Sequence, residues 1–255
     1  MSRHILILGG TTEARQLAEC LAGRHDVAAT LSLAGRTTAP LAQPVPVRSG
    51  GFGGIDGLAR HLREHQIRVL IDATHPYAQK ISAHAVAAAA LTDTPMLALR
   101  RPPWRPIPGD RWVEVQSAED AVSHLGTEPQ NVFLALGRQE IAPFSRAPQH
   151  RYLIRSVEPI DPPLAVPYAR YLRGRGPFSE HDDRALLLAH AVNIVVAKNS
   201  GGTATYGKIA AARSLGIPVL LLRRPHGPPA QCAATVGEAI AWLDHALAAA
   251  RDRGV

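Results

Sequence analysis

Short aliphatic runs alternate along this chain with longer stretches in which apolar residues recur every three or four positions. Ile5-Leu6-Ile7-Leu8 reads as a buried strand, bounded by a glycine pair. From 12 to 22, Ala14, Leu17, Ala18 and Leu21 share one helical face, and Gly23 ends the pattern. Further strands are predicted at 27–33, 45–48, 69–71 and 96–99. Helices are predicted at 55–66, with Leu58 and Leu62 on the apolar face, and at 78–91. The alternation resumes with strands at 112–115, 132–136, 152–156, 194–197 and 219–222, and helices at 118–125, 180–189, 204–215 and 236–250. The stretch 167–177 is basic and reads as a loop. Strand–helix alternation of this kind is the mark of βαβ units around a parallel sheet, so the expected class is α/β.

Between the halves stands Arg100-Arg101-Pro102-Pro103-Trp104-Arg105-Pro106-Ile107-Pro108-Gly109. Proline at this density continues neither a helix nor a central strand. The expected division is therefore a domain over 1–100 and a second over 101–255, with the closing helix free to pack on either.

Composition narrows the picture only in part. The 255 residues carry 28 Lys+Arg against 21 Asp+Glu, a formal charge of +7. That balance fits nucleic acid, an anionic membrane or an acidic small ligand. No RNP, helix-turn-helix or zinc module is present and aromatics are 5% of residues, which argues against nucleic acid. The N-terminal apolar run is shorter than the roughly 7–15 residues of an export signal, and no stretch approaches the roughly 20 apolar residues of a membrane span. A soluble, cytoplasmic protein is expected. Its 2 cysteines, Cys20 and Cys232, form no CxxC pair, which excludes a disulfide framework and a thiolate zinc site. Arginine supplies most of the positive charge; the only lysines are Lys80, Lys198 and Lys208.

The candidate chemistry lies in the loops after strands. Gly9-Gly10-Thr11-Thr12-Glu13-Ala14 joins the first strand to the first helix, where glycines let a phosphate approach backbone amides and the helix N-terminus adds partial positive charge. It is not the GxGxxG fingerprint, and a tight turn with Thr as N-cap explains it equally. At the end of the second strand stands Gly35-Arg36-Thr37-Thr38, with no acid to grip a ribose diol. A guanidinium between hydroxyls favours the 2′-phosphate of NADP over the diol of NAD, against the alternative of a solvated loop arginine. His75 and Tyr77, in Asp72-Ala73-Thr74-His75-Pro76-Tyr77-Ala78, are candidate proton donors or pocket walls, or else part of a capped turn. Lys198-Asn199-Ser200-Gly201-Gly202-Thr203-Ala204-Thr205-Tyr206-Gly207-Lys208 gathers two of the three lysines with small polar residues, as a loop holding an anion would. It lacks the order of a P-loop. His61-Leu62-Arg63-Glu64-His65 matches H-x-x-E-H, but the pattern is short and its helix belongs to a βαβ unit, so it reads as a solvated face and no metal site is expected.

Together, Gly9-Gly10-Thr11-Thr12-Glu13-Ala14-Arg15, Asp72-Ala73-Thr74-His75-Pro76-Tyr77-Ala78, Gly137-Arg138 and Lys198-Asn199-Ser200-Gly201-Gly202 resemble, in order and spacing, the precorrin-6A reductase family of cobalamin biosynthesis. The resemblance runs from the first strand to about residue 225. It implies two Rossmann-like parallel-sheet domains with NADPH and a polycarboxylate tetrapyrrole in the cleft between them. It also implies hydride transfer from the nicotinamide to one carbon of a ring double bond and protonation of its neighbour. Carried over by residue, Gly9, Gly10, Thr11, Thr12 and Glu13 would cradle the cofactor and Arg36 would meet its 2′-phosphate. Ser49, Gly50, Thr74, His75 and Pro76 would line the nucleotide's path, and Lys198, Asn199, Ser200, Gly201 and Gly202 would close the cleft. Tyr77, His75, Lys198 and bound water remain open as proton donor. Arg138, Arg170, Arg173 and Arg175 are candidates for the substrate's carboxylates, or a solvated basic surface. The rivals are another NADP-dependent two-domain reductase and an NADP-sensing protein without turnover.

Overall fold

The computed structural model describes residues 3–35 and 42–252. The chain forms two compact units: Met1–Pro102 with Pro225–Val255, and Pro103–Arg224. The proline-rich segment is thus a boundary, but the second unit ends at Arg224 rather than running to the C-terminus. The reason is strand pairing and helix packing in the final segment, described below.

In the first unit, β1 (Arg3–Leu8), β2 (Val27–Leu33), β3 (Val47–Ser49), β4 (Ile67–Asp72) and β5 (Met96–Leu99) alternate with α1 (Thr12–Ala22), α2 (Ile55–Glu64) and α3 (Gln79–Leu91). The sheet order is β12-β5-β4-β1-β2-β3, where β12 is Cys232–Ala233, and every pairing is parallel. Alternate residues of β1 serve opposite faces. Ile5 and Ile7 pack with Leu17 and Leu21 of α1 and with Leu243 and Leu247 of α7 (Val236–Asp252). Leu6 and Leu8 pack with Leu58 and Leu62 of α2 and Ala85 and Ala88 of α3. Both faces are covered, which is why these strands read as unbroken apolar runs rather than alternating ones. The last segment returns to this unit because β12 adds to the free edge of β5, with Ala233 opposite Leu99, and α7 then buries its apolar stripe on the α1 face.

The second unit orders its strands β6-β11-β10-β7-β8-β9, all parallel. These are β6 (Trp112–Val115), β7 (Asn131–Ala135), β8 (Arg151–Ser156), β9 (Ala169–Arg173), β10 (Ile194–Lys198) and β11 (Val219–Leu222), with α4 (Ala118–Leu125), α5 (Glu180–Ala189) and α6 (Gly207–Ser214). Phe133, Leu153, Val195, Ala197, Val219 and Leu221 pack with Leu187 of α5 and Ile209 of α6. The alternate set, Val132, Leu134, Val196, Leu220 and Leu222, is also buried.

Further elements depart from expectation. The stretch 167–177 holds an edge strand, β9, whose arginines stand in solvent, as charged residues on sheet edges do. α6 begins at Gly207 rather than at 204. A Cβ on Gly207 would lie 2.6 Å from the carbonyl oxygens of Phe178 and Ser179, so the helix starts where glycine lets it pack on that strand of chain. Arg138–Glu140 and Ala142–Arg146 form single 3₁₀ turns after β7. No helix among the described residues is long and apolar enough to cross a membrane.

Candidate functional site

Each sheet has one point where chain order reverses. In the first, the chain winds outward from β1 through β2 to β3, then crosses to β4 on the other side of β1. In the second it winds from β7 through β8 to β9, then crosses to β10 beside β7. Ligands of doubly wound sheets bind beyond the strand carboxyl ends at such points. The four motifs singled out in the sequence occupy these positions. Gly9–Glu13 follows β1, 72–78 follows β4, Gly137-Arg138 follows β7 and 198–202 spans the end of β10.

In the first unit, Thr11 caps α1. Its Oγ1 accepts from the Ala14 amide at 3.1 Å and donates to the Ala73 carbonyl at 2.8 Å, tying the two loops across the switch point. Gly10 has φ +115 and nothing within 4 Å of a hypothetical Cβ, while a Cβ on Gly9 would lie 2.5 Å from Leu31 Cδ1. One glycine is thus required by conformation and its neighbour by close packing. The amides of Gly10, Thr11, Thr12 and Glu13 make no hydrogen bond among the described residues. Four successive open donors at a helix N-terminus suit a phosphate group. The Glu13 side chain turns to Arg101, whose Nη1 lies 2.5 Å from its Oε2, so only its backbone remains for the cradle.

The 72–78 loop hangs on a buried ion pair. Asp72, fully buried, accepts from Thr74 N and Thr74 Oγ1 at 3.1 and 2.7 Å and from Arg100 Nη2. Arg100 also donates to the Asp72 carbonyl at 2.7 Å and to Ser82 Oγ at 2.8 Å. Thr74 therefore points inward, with its hydroxyl donated to Asp72. His75 and Tyr77 are half-buried neighbours, with ring centroids 5.5 Å apart. Gly50, at φ +109, donates its amide to the Leu33 carbonyl at 2.9 Å. Arg48 holds the carbonyls of Gly50 and Gly51, each at 2.6 Å, and lies over the Phe52 ring at 3.8 Å. Ser49 is exposed beside them. Phe52 in turn meets His61 edge-on at 5.1 Å, and the His61 and His65 rings are 4.1 Å apart. Burial first, then the His65 and Arg48 charges, push His61 down to about 4. Arg36, with Thr37 and Thr38, lies outside the described residues.

In the second unit, Lys198 ends β10 and its Nζ meets Glu140 Oε1 at 2.5 Å. Asn199 is buried and spends its amide on the Trp104 backbone, accepting from N at 2.8 Å and donating to O at 3.0 Å. These two bonds anchor the proline-rich segment to the loop. Trp104 Nε1 donates to the Gly202 carbonyl at 2.7 Å, and Arg224 donates to the carbonyls of Asn199 and Ser200 at 3.3 and 3.0 Å. Gly201 and Gly202 both have positive φ, near +67 and +69, and their amides make no hydrogen bond among the described residues. Lys208 is buried, donates to the Thr205 carbonyl and lies 5.0 Å from the Trp104 ring centre. Arg138, Arg170 and Arg173 are exposed, and their side chains make no hydrogen bond or ion pair among the described residues; Arg175 is exposed as well. Sequence reasoning missed Arg48, whose partners Gly50 and Gly51 are local, and Arg100, Arg101, Glu140 and Arg224, whose partners lie far off in the sequence.

Among the described residues no group of three or more His, Cys, Asp or Glu is placed to hold a metal ion. Residues 4–244 match the family described as Precorrin-6x reductase CbiJ/CobK. A Precorrin-6A reductase of Sinorhizobium sp is 52% identical over 96% of this chain and 94% of its own length. One from Rhodobacter capsulatus is 48% identical over 98% of this chain and 99% of its own. A solved structure titled CobK precorrin-6A reductase superposes with a TM-score of 0.92 at 47% identity, covering 96% of this chain and 97% of that one.

Proposed function

The chain belongs to the precorrin-6A reductase family of cobalamin biosynthesis, and on that premise we propose that it reduces one ring double bond of precorrin-6A at the expense of NADPH. Bound NADPH supplies the hydride, which goes to one carbon of the double bond, while a proton from the protein or from water goes to its neighbour. The observation that carries this reading is the placement of all four motifs at the switch points of the two sheets, with open amides at the α1 N-terminus.

In this reading, the Gly10–Glu13 amides take the cofactor's phosphates, and Thr11 fixes their loop against the 72–78 loop. Arg36 meets the 2′-phosphate and Gly50 borders the ribose. His75, Pro76 and Tyr77 line the first unit's reaction side, where His75 and Tyr77 are the side chains of a type that can donate a proton. The Gly201 and Gly202 amides and the Lys198 ammonium receive anionic groups in the second unit. Precorrins bear several acetate and propionate arms, so exposed Arg138, Arg170 and Arg173 suit them as bidentate, permanently charged partners. The protein's contribution is placement and charge; no covalent step on a side chain is required.

Purified protein mixed with precorrin-6A under exclusion of oxygen should consume NADPH in equal amount with a shift of the macrocycle's absorption. The cobalt-loaded macrocycle in a parallel arm reports whether the metal is tolerated. No NADPH consumption and an unchanged spectrum in both arms would overturn the assignment.

A further inference from the structure

Among the Arg and Lys ion pairs of the second unit's described residues, Lys198–Glu140 is built differently from the other two. The carboxylates of Arg155–Asp183 and Arg213–Asp110 are nearly sealed, at 2% and 1% exposure. Asp110 has a second task as well, accepting from the Ile107 amide at 2.8 Å. Glu140 keeps 28% exposure and Lys198 15%, and the Glu140 carboxylate makes no other hydrogen bond or ion pair among the described residues. It is held at one end only, and no backbone depends on it.

The pair also stands where a ligand of this sheet belongs. Lys198 ends β10 and Glu140 follows β7, the two strands that flank the switch point. It lies against the backbone at Gly137, where a Cβ would be 2.5 Å from Glu140 Oε2 and 3.3 Å from Lys198 Nζ. A fixed carboxylate at the binding point of a polyanion opposes the ligand, because like charges repel. A detachable one does not: it leaves as the ligand's own carboxylate arrives.

We infer that Glu140 is an internal stand-in for a substrate carboxylate, holding Lys198 in the unliganded protein and yielding it to an acidic arm of the macrocycle. The inference rests on the polycarboxylate substrate proposed above. Exchange of one carboxylate for another keeps the ammonium neutralised throughout. A macrocycle whose arms are esterified cannot make the exchange, so the pair selects for free acids. It makes Glu140 a specificity residue that touches the substrate's binding partner rather than the reacting carbons.

The test is the affinity of Glu140→Gln for precorrin-6A, read by tryptophan fluorescence without NADPH so that no turnover intervenes. A competing intramolecular partner lowers apparent affinity by the fraction of sites it occupies. For a partly exposed ion pair, its removal should tighten binding about two- to sixfold. Lys198→Ala in the same background should abolish the gain, and thermal midpoints of both variants should stay near that of the parent, since Glu140 supports no backbone. Unchanged or weaker binding by folded Glu140→Gln would overturn the inference and make Glu140 a fixed prop for Lys198. Failure of the parent protein to bind precorrin-6A would instead overturn the substrate reading, and this inference with it.

Discussion

The Arg100–Asp72 pair offers the sharpest test of how the first unit's loop is held. Asp72 has no exposed surface, and its side chain faces three donors: Thr74 N, Thr74 Oγ1 and Arg100 Nη2. Arg100→Met removes the only cation in that set and leaves a buried carboxylate with two neutral donors. Breaking a buried pair from one side costs about 3–5 kcal/mol. For a chain of this size each kcal/mol lowers the melting point by about 2–4 °C, so the expected drop is roughly 6–20 °C. Asp72→Asn should cost less, roughly 2–3 kcal/mol, because Arg100 is 19% exposed and keeps the Asp72 carbonyl at 2.7 Å and Ser82 Oγ at 2.8 Å. The double variant removes both charges and should be more stable than the sum of the single costs predicts, by at least about 1.5 kcal/mol. It should not return to the parent, because carbonyls that Arg100 satisfied are left behind. Thermal and urea unfolding of the four proteins measures the cycle, and an NADPH titration of each reports whether the loop after β4 still presents a cofactor surface. Additivity within about 0.5 kcal/mol, or a negligible shift for Arg100→Met, would refute the argument that the pair holds the loop.

Gly10→Ala should raise the NADPH dissociation constant at least about tenfold: φ +115 disfavours any side chain by about 1–2 kcal/mol and the methyl enters the space assigned to phosphate; calorimetric titration checks it. Arg36→Ala should weaken NADPH far more than NADH, and equal losses would remove Arg36 from the 2′-phosphate. His61 is held at about 4 in the folded chain against an ordinary 6.5, so the unfolded chain binds more protons between those values and the stabilising contribution, complete above about 6.5, is lost as pH falls toward 4. Because the ring is only partly shielded from water, the loss is about 1 kcal/mol; His61→Gln should show a flatter pH dependence of its urea midpoint over that range, and an unchanged slope would refute it.

The central strands were legible because each lies between two helical layers and so reads as an unbroken aliphatic run. The edges were not. β12 is two residues long, and its pairing with β5 depends on a free sheet edge more than a hundred positions upstream in the chain. β9 reads as a basic loop because its outward residues are arginines, and only its hydrogen bonding to β8 makes it a strand. Among site residues, the loops themselves were legible from glycine, proline and threonine at strand ends. Which way their side chains point was not. The polar groups of Asn199 and Thr74 each have a partner within the chain. For Asn199 that partner is Trp104, 95 residues away in sequence, which no local pattern reveals.

The excess of arginine acquires a more specific meaning from these loops. Arg48 gathers the carbonyls of Gly50 and Gly51, Arg100 those of Asp72 and Thr74, and Arg224 those of Asn199 and Ser200. Each guanidinium sits at the carboxyl end of a strand and takes up the acceptors of a loop there. A planar group with several donors does this where an ammonium, with one compact point of charge, would serve fewer acceptors at once. With carbonyls engaged, a loop such as 199–202 is left with open amides at Gly201 and Gly202, and the guanidinium's own charge adds to their positive potential. In the reading proposed above, part of the +7 charge acts without touching any anion, by fixing the backbone that would meet one. Arg138, Arg170 and Arg173, exposed and with side chains that have no partner among the described residues, are the ones proposed for direct contact. Replacing one of the loop-holding arginines by lysine would keep the net charge and still disorder the binding loop, which net charge alone gives no reason to expect.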